Sequence, residues 1–549
     1  MDRGTKASTR EPADWWRRAV VYQVYVRSFA DADGDGVGDL AGIRSRLPYL
    51  RDLGIDAIWI TPWYRSPMRD GGYDVADYRD IDPLFGTLAD ADAVVDEAHA
   101  EGVRVIIDIV PNHTSSDHPW FREALGSARD SRPRARYHFA NGRGPRGEEP
   151  PNGWGSLFGG SAWSEAPDDG AVPRQWYLHL FDSSQPDLDW DSPEVRAEFE
   201  SILAFWLQRG VDGFRIDVAS FLAKAPGLPD QSPGEPHPFE DLDGVHEIYR
   251  GWRRVLDAHR ADGVFCGEIN LAPDRTGRYL RPDELHTAFN FDFALRPWDA
   301  TAFRESIDRT LSSLAAAGAS ATWVIGNHDL PRPTYRYGRE PWGDLADSWS
   351  RRAASDQHLG VARARAAALL SLALPGSVYV HQGDELGLPE VLDLPAGARQ
   401  DPTFRRTGGV DIGRDGTRVP IPWSGDEPPY GFGPAGSVPW LPQPTVWAEL
   451  SVEAETADEG STLSMYREAL RIRRSHPGLT GTAFGWLEAP AGVLRFARGH
   501  GFECVVNASR AALDLPPGAR VLLASASVTG GRLPADAAAW IELPLQALR

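Results

Sequence analysis

The sequence predicts an α/β protein whose core is a (β/α)8 barrel, also called a TIM barrel. Three observations lead to this fold: eight short apolar runs rich in β-branched residues recur along the chain, amphipathic helical stretches separate them, and most runs are continuous rather than alternating. Continuous apolar runs are typical of parallel strands that are buried on both faces. An open, doubly wound sheet is the alternative. The strand candidates are Val20–Phe29, Ile55–Thr61, Arg104–Val110, Gly213–Val218, Val264–Ile269, Thr287–Phe293, Ala321–Asn327 and Gly376–Gln382.

The helices between these strands are predicted from apolar residues that recur at the helical period. The clearest start signal lies at Pro193, because proline suits the first helical position and Ser192 before it can cap the helix. The helix candidates are Leu40–Leu53, Ala89–Glu101, Pro193–Arg209, Thr301–Ala316, Asp356–Ala373 and Thr462–Arg474.

Two long segments interrupt the barrel pattern, and the C-terminal part changes character. Residues 114–190 are rich in Gly, Pro, Asp and Trp, so we expect an irregular inserted subdomain after the third strand, beside the active site. Residues 386–450 predict a long loop over the same face. Residues 481–549 predict a small C-terminal β-sandwich domain, which leaves 1–113 and 191–480 for the barrel. The β-like runs of the C-terminal part are Val493–Ala497, Phe502–Val506 and Val521–Ala524.

The net charge of −21 narrows the choice of partners. Nucleic acid and anionic membranes attract basic surfaces, so both are disfavoured, whereas a neutral small molecule such as a sugar is compatible. Cys266 and Cys504 are too few for a disulfide framework, and residues 1–14 lack the apolar core of a secretory signal. No apolar run reaches transmembrane length. We therefore expect a cytoplasmic protein, monomeric or homodimeric.

Polar residues follow the predicted strands at the ends where the catalytic groups of such barrels lie. Three acids should converge there: Asp217 after the fourth strand, Glu268 after the fifth and Asp329 after the seventh. Any one of them alone could merely cap the following helix, but three on one barrel face point to chemistry. Two carboxylates on either side of a bond are what glycoside hydrolysis requires, one as nucleophile and one as proton donor.

The same strand ends carry strings that resemble the signature regions of the α-amylase superfamily of glycoside hydrolases. They occur in the order of that family and span nearly the whole chain. The resemblance implies that Asp217 is the nucleophile, that Glu268 is the general acid/base, and that Asp329 holds sugar hydroxyls and stabilises the transition state. The strings are Asp108–His113, Gly213–Asp217, Gly267–Glu268 and Val324–Asp329 for the four main regions, with Gln185–Trp190 and Gly376–Glu385 as further ones.

The resemblance also implies roles for the basic residues near these acids. Arg215 should hydrogen-bond Asp217, lower its pKa and keep it ionised. His113 and His328 should contact substrate hydroxyls. Asp108 and Asn112 are expected to support these groups rather than to touch the substrate.

Further strings resemble the α-glucosidase branch of this superfamily, which includes oligo-1,6-glucosidases and maltases. The string from Asp70 to Tyr73 is similar to one that supplies a pocket-closing acid and a stacking ring, and Gly413–Trp423 is similar to a loop that supplies Arg414. An ion pair between Asp70 and Arg414 would close the pocket behind one glucose, whereas a surface salt bridge of little value is the alternative. The other positions that match the lining of a glucose pocket are Phe158, Phe181 and Gln185, and core packing would equally explain either Phe.

Alternating carboxylates near the N-terminus predict a metal site. Hard oxygen ligands at this spacing in a tight loop suit Ca²⁺, with Mg²⁺ possible, and similar α-glucosidases bind such ions here through a backbone carbonyl as well. An Asp- and Gly-rich turn without metal is the alternative. No organic cofactor is expected. The candidate ligands are Asp31, Asp33, Asp35, Val37 and Asp39.

Together these resemblances imply a retaining, exo-acting α-glucosidase that hydrolyses terminal, non-reducing, α-1,4-linked glucose from maltose and short oligosaccharides. Transglucosidases and glucosyl isomerases share the catalytic residues, so transfer to a sugar is an alternative. Val218, after the nucleophile, resembles α-1,6-preferring enzymes, whereas Asp283–Phe293 and Phe404–Gly409 resemble α-1,4-glucosidases. Non-catalytic, transporter-associated relatives lose the acids and carry a membrane helix, which disfavours that class.

Overall fold

The computed structural model describes residues 14–168, 170–232, 234–340 and 349–544. Eight parallel strands form one sheet that curls into a nearly closed barrel, paired in the order 6-5-4-3-2-1-8-7, which confirms the predicted fold. Residues 1–13, on which the prediction of no secretory signal largely rests, lie outside the described residues. The barrel strands are Val20–Val24, Ala57–Ile60, Arg104–Ile109, Gly213–Ile216, Val264–Gly267, Thr287–Ala288, Thr322–Val324 and Ser377–His381.

The sixth and seventh strands stand at the two ends of the hydrogen-bonded order, and side chains bridge the gap between them. Thr287 Oγ1 and Thr322 Oγ1 share a hydrogen bond, and Thr322 Oγ1 also lies 2.8 Å from Ser377 Oγ in the eighth strand. The barrel is therefore closed by hydroxyl groups at the point where the backbone ladder is interrupted.

The sixth strand is shorter than predicted. It ends at Ala288, and the second half of the predicted strand forms the short helix Phe291–Ala294. Asn290 begins that helix, because its side-chain oxygen accepts a hydrogen bond from the Phe293 N–H at 3.0 Å. The capping bond offers the backbone an alternative to the strand ladder.

The predicted helices are present, and none of their ends differs from the prediction by more than one residue. Pro193 begins its helix as predicted, but the Ser192 side chain makes no capping hydrogen bond, and the acidic Glu194 instead complements the positive end of that helix. None of the described helices is long and apolar enough to span a bilayer. The helices are Leu40–Leu53, Leu88–Ala100, Pro119–Leu125, Pro193–Gln208, Gly244–His259, Pro273–Thr276, Phe291–Ala294, Ala300–Ala317, Pro333–Tyr337, Gln357–Ala373, Pro402–Arg406, Val452–Ala457, Thr462–Ser475 and Pro477–Thr480.

Aromatic rings fill the interior of the barrel below the active site. The rings of Trp59, Phe289 and Tyr379 lie 4.9–6.2 Å apart, centroid to centroid. Cys266 is buried beside them, and burial raises the pKa of its thiol to about 12, so it is a core thiol rather than a nucleophile. These apolar side chains pack inside the barrel, directly beneath the charged groups at the strand ends.

The segment after the third strand contains a small three-stranded antiparallel sheet, Phe139–Asn141, Trp163–Glu165 and Gln175–Leu178. An isolated bridge between His113 and Asp187 ties the end of this segment to the end of the third strand. The segment therefore stands over the carboxyl ends of the strands. Its limits at 114 and 190 stay a prediction.

The C-terminal region is an antiparallel sheet with the strand order Gly485–Trp486, Val493–Gly499, Phe502–Asn507, Ala537–Glu542 and Arg520–Ala524. The three predicted runs are strands. The strand Ala537–Glu542 was not predicted, because its alanines are weak strand formers. The second layer of the predicted sandwich is only the ribbon Leu513–Asp514 and Arg532–Leu533.

Trp540 joins the C-terminal sheet to the barrel. It is fully buried, and its Nε1 donates to the Leu369 carbonyl in the helix Gln357–Ala373 at 3.0 Å. The sheet thus buries one apolar face against a barrel helix instead of forming an independent unit.

We predict that Trp540→Ala destabilises the protein by about 3–5 kcal/mol, because it removes a buried ring and leaves a cavity between sheet and barrel. Chemical denaturation followed by circular dichroism measures this loss. Trp349→Ala, at a Trp that is 38% exposed, is the control and should change stability by less than about 1 kcal/mol. Equal effects of the two substitutions would contradict the docking of the sheet through Trp540.

Candidate active site

One arginine, Arg215, bridges three acids at the carboxyl ends of the third, fourth and fifth strands. Its Nη1 donates to Asp108 Oδ1 at 2.8 Å and to Asp217 Oδ1 at 2.7 Å, and its Nη2 lies 2.6 Å from Glu268 Oε2. Strand register explains this convergence, because Asp108 lies opposite Arg215, and the residues preceding Asp217 and Glu268 face each other on neighbouring strands.

The acids around Arg215 carry more charge than one guanidinium offsets. Burial, and then the charges of Glu268 and Asp108, raise the pKa of Asp217 well above its usual value, against the opposing effect of Arg215. Burial likewise raises the pKa of Asp108 to about 6. Arg215 therefore does hydrogen-bond Asp217 and lower its pKa, as expected, but burial and the two neighbouring acids outweigh this effect in the free site, because three buried acids share that one cation.

Aromatic groups hold this cluster from below. The Arg215 guanidinium carbon lies 5.0 Å from the Trp59 ring centroid and 5.7 Å from that of Tyr73. Trp59 Nε1 and Tyr73 Oη both donate to Asp108 Oδ2 at 3.0 Å. Both carboxylate oxygens of the fully buried Asp108 thus accept hydrogen bonds from protein donors, as expected for a supporting residue.

Asp329 lies in a second cluster, with two arginines. Its Oδ1 accepts hydrogen bonds from Arg414 Nη1 at 3.0 Å and from Arg418 Nη2 at 2.9 Å. Burial alone would raise the pKa of Asp329, but the charges of Arg414 and Arg418 oppose burial, and that pKa lies well below its usual value. Asp329 is therefore ionised at neutral pH.

Arg414 also reaches two further acids. Its Nη2 donates to Asp70 Oδ1 at 2.7 Å and its Nε to Asp401 Oδ2 at 2.6 Å. The predicted pair of Asp70 and Arg414 is thus present, and it is no surface salt bridge, since the two side chains are only 5% and 17% exposed. The pair links the string after the second strand to the loop after the eighth.

Sequence reasoning missed Asp401 and gave Arg418 no role. The Asp401 side chain is fully buried, and the charges of Arg414 and Arg418 overcome burial and lower its pKa. The two arginines stand four residues apart in one loop, which is the only signal the sequence offers. Nothing in the sequence shows that Asp401 faces them.

His328 is held as a neutral ring between aromatic neighbours. It stacks on Tyr73 with a centroid distance of 5.2 Å and an interplanar angle of 6°, and on Tyr25 at 5.7 Å. Its Nδ1 lies 2.6 Å from Gln23 Nε2, and its Nε2 lies 3.4 Å from Asp329 Oδ2. Burial places the pKa of His328 well below its usual value.

His113 and Gln185 contact each other, and Gln185 also contacts Asp70. His113 Nε2 lies 3.1 Å from the Tyr73 carbonyl oxygen, and Gln185 Nε2 donates to Asp70 Oδ2 at 3.0 Å. Burial lowers the pKa of His113 to about 4, so this ring is also neutral. The predicted polar residues are therefore brought together around one pocket.

Two phenylalanines stand beside this polar pocket. Phe158 and Phe181 pack at 5.4 Å, and the Arg414 guanidinium carbon lies 4.8 Å from the Phe158 ring centroid. Phe181 also contacts the His113 ring at 5.2 Å. Both phenylalanines therefore contact predicted site residues and are not confined to a remote core.

The predicted metal loop brings three of its five candidate ligands together. Carboxylate oxygens of Asp31, Asp33 and Asp39 lie within 4.8 Å of one another. Asp35 is not in that group among the described residues, and its Oδ1 accepts the Val37 N–H at 2.8 Å. The Val37 carbonyl stays a predicted ligand. Three hard oxygen donors at this separation fit one divalent cation.

Backbone amides already satisfy part of this loop. Gly34 and Gly36, both in the left-handed region, donate to the two oxygens of Asp31 at 2.6 and 3.0 Å. Asp39 Oδ1 accepts the Gly42 N–H at 2.6 Å and caps the helix Leu40–Leu53. The loop is therefore preformed by its own hydrogen bonds.

Comparison with known proteins places this site in a family. Residues 23–481 match the model of the α-amylase catalytic domain. A probable α-glucosidase of Rhizobium meliloti is 37% identical over 540 residues, covering 92% of this chain and 91% of that protein. An oligo-1,6-glucosidase of Parageobacillus thermoglucosidasius is 33% identical over 531 residues, covering 90% of this chain and 89% of that protein.

Solved structures are similar to this chain as well. The trehalulose synthase of Pseudomonas mesoacidophila MX-45 superimposes with a TM-score of 0.84 at 30% identity, over 97% of this chain and all of that one. The barrel, the strand-end acids and the matched length therefore have one explanation: the chain belongs to the α-amylase catalytic-domain family and is a glycoside-hydrolase family enzyme.

Proposed function

We propose that this enzyme is a retaining, exo-acting α-glucosidase that hydrolyses the terminal, non-reducing, α-1,4-linked glucose of maltose and short oligosaccharides. The observation that carries the proposal is the chain of contacts from Asp70 through Arg414 to Asp329, set beside the pair Asp217 and Glu268 on Arg215. The first contacts close a pocket, and the second group supplies the two carboxylates that glycoside cleavage requires.

The paired carboxylates perform the reaction in two steps. Asp217 attacks the anomeric carbon while Glu268 gives its proton to the leaving oxygen, which forms the glycosyl-enzyme and releases the rest of the sugar. Glu268 then takes a proton from water, and that water displaces Asp217 with net retention. Because one guanidinium touches both carboxylates, their separation suits the ~5–5.5 Å of retaining enzymes better than the ~6.5–9.5 Å of inverting ones.

The contacts of Glu268 favour one of its oxygens as the site of the proton. Its Oε2 lies beside Arg215 Nη2 at 2.6 Å and accepts the Val218 N–H at 3.0 Å. Both partners are donors, so the proton of the acid is left to Oε1. The mechanism requires a proton on Glu268 and an ionised Asp217 when substrate arrives.

The remaining polar groups bind the hydroxyls of one glucose. Asp329 is an ionised acceptor, whereas the neutral rings of His113 and His328 each offer one donor and one acceptor. The Tyr73 ring supplies an apolar face for the sugar. Because Arg414 lies across the pocket between Asp70 and Asp329, an internal segment of a long chain has no path through it.

A second candidate function differs in the linkage that is cleaved or in the acceptor that receives the glucosyl unit. The name of the oligo-1,6-glucosidase relative and the Val218 that follows the nucleophile favour α-1,6 bonds. Likeness to a trehalulose synthase favours transfer of the glucosyl unit to a sugar hydroxyl in place of water. Both alternatives use the same glycosyl-enzyme on Asp217.

The proposal includes a structural divalent cation, Ca²⁺ or Mg²⁺, held by Asp31, Asp33 and Asp39, with Asp35 and Val37 as further ligands. The loop joins distant segments, since the Asp31 N–H donates to the Phe432 carbonyl at 2.7 Å, so an ion here would strengthen that junction. We propose no organic cofactor. A cytoplasmic, monomeric or homodimeric enzyme fits the composition.

We predict that Asp217→Asn lowers glucose release from maltose by roughly 10⁴-fold or more, because no glycosyl-enzyme forms. Released glucose is measured with maltose, isomaltose, sucrose and starch as separate substrates. Asp426→Asn, at an exposed acid, is the control and should match the wild type. Preference for isomaltose selects the α-1,6 alternative, new oligosaccharides select transfer, and fast release from starch contradicts the exo-acting pocket.

We predict that Asp70→Asn lowers kcat/KM for maltose about thirtyfold or more, because it leaves Arg414 buried without one partner, at about 2 kcal/mol or more. Steady-state kinetics measure the change. Asp92→Asn is the matched control, since Asp92 pairs with Arg209 at 2.7 Å in a more exposed setting and should shift kcat/KM by less than about threefold. A normal kcat/KM in the Asp70 variant would contradict the role of the pocket-closing pair.

We predict that millimolar Ca²⁺ raises the melting temperature of the metal-free protein by a few degrees, because the ion binds the folded loop only. Differential scanning calorimetry with and without chelator measures the shift. Asp33→Asn, at the exposed member of the cluster, should abolish the response. A melting temperature indifferent to both Ca²⁺ and Mg²⁺ would refute the cation site.

A further inference from the structure

Lysine is almost absent from this chain, and the one described lysine is buried beside the active site. Of the 57 Lys and Arg residues, only Lys6 and Lys224 are lysine. The Lys224 side chain is fully buried, on the loop that follows the nucleophile. A chain that uses arginine elsewhere and keeps lysine here needs the compact ammonium group rather than a planar guanidinium.

The Lys224 ammonium has three polar partners. Its Nζ lies 2.6 Å from Asn112 Oδ1, 2.8 Å from Asp187 Oδ2 and 2.8 Å from the Phe221 carbonyl oxygen. An ammonium donates and never accepts. The side-chain oxygen of Asn112 is therefore fixed as the acceptor for Lys224, and the amide of Asn112 cannot flip without losing that bond.

The fixed amide controls the neighbouring ring. With Oδ1 on Lys224, Asn112 Nδ2 lies 3.2 Å from His113 Nδ1. An amide nitrogen only donates, so His113 Nδ1 has to be the acceptor and carries no proton. Since His113 is neutral, its single proton lies on Nε2, which donates to the Tyr73 carbonyl at 3.1 Å.

Gln185 favours the opposite tautomer of His113. Its Oε1 accepts the Asp182 N–H at 3.0 Å, so its Nε2 is the atom that faces His113 Nε2, at 3.1 Å. That amide nitrogen would prefer a ring with the proton on Nδ1 and a lone pair on Nε2. Two amide nitrogens thus approach opposite nitrogens of one ring, and only one of them can be satisfied.

We propose that Lys224 is a positioning residue that, through Asn112, keeps the proton of His113 on Nε2 and so makes that nitrogen the donor to the Tyr73 carbonyl at the pocket. The consequence for sugar binding rests on the proposed function, whereas the position of the proton does not. Gln185 then gives its hydrogen bond to Asp70.

The direct test is the tautomer of His113, observed by nitrogen-15 and carbon-13 NMR of histidine-labelled protein, with the His113 signals assigned by their loss in His113→Asn. The wild type should show a proton on Nε2. Lys224→Met keeps the length of the side chain and removes the donor, so Asn112 can flip and the proton should move to Nδ1. An unchanged tautomer in folded Lys224→Met would overturn the proposal.

Two further variants separate positioning from a merely structural role. Asn112→Asp keeps a partner for Lys224, but its second oxygen only accepts, so His113 Nδ1 has to become protonated; a bare Nδ1 would overturn the proposal even if Lys224→Met does not fold. Asp187→Asn changes the other partner of Lys224 and leaves Asn112 alone, so it should keep the wild-type tautomer. A switched tautomer in that variant would assign the effect to the inserted segment and contradict the proposal.

Steady-state kinetics test whether the tautomer of His113 affects sugar binding. Lys224→Met should raise KM for maltose about tenfold, as expected for one lost hydrogen bond, with a smaller change in kcat. An unchanged KM together with a switched tautomer would refute the link to sugar binding. A protein that hydrolyses no α-glucoside but shows the predicted tautomers would refute the proposed function and leave the inference standing.

Discussion

The site depends on one constraint: three buried acids have to share the guanidinium of Arg215. Parallel strands in register place Asp108, Asp217 and Glu268 around it, and the Trp59 ring packs against the guanidinium. Burial and the excess of carboxylates over cations raise the pKa values of Asp217 and Asp108.

A second arginine organises the other half of the pocket. Arg414 contacts Asp70, Asp329 and Asp401, and Arg418 adds the charge that keeps Asp329 ionised. The two halves therefore differ in charge state for a physical reason, since Asp329 has two arginines nearby and Asp217 shares one. A site with an ionised acceptor on one side and carboxyl groups of raised pKa on the other suits a neutral, hydroxyl-rich substrate.

Much of the fold and of the candidate site could be predicted from the sequence, and most of the exceptions share one cause. The strand-end acids were predictable because parallel strands bring their carboxyl ends to one face. Asp401, the contacts of Lys224 and the raised pKa of Asp217 depend on distances between segments far apart in the chain, which no local pattern contains. The strand Ala537–Glu542 failed for another reason, because alanine has little strand propensity and only burial between two strands fixes it there.

The most direct measurement of the central claim is the anomer of glucose first released from an aryl α-glucoside, followed by proton NMR before mutarotation. Attack by Asp217 and then by water inverts the anomeric carbon twice, so the account predicts that α-glucose appears first and β-glucose grows in later. Initial release of β-glucose would mean a single displacement by water, and would contradict the assignment of Asp217 as nucleophile.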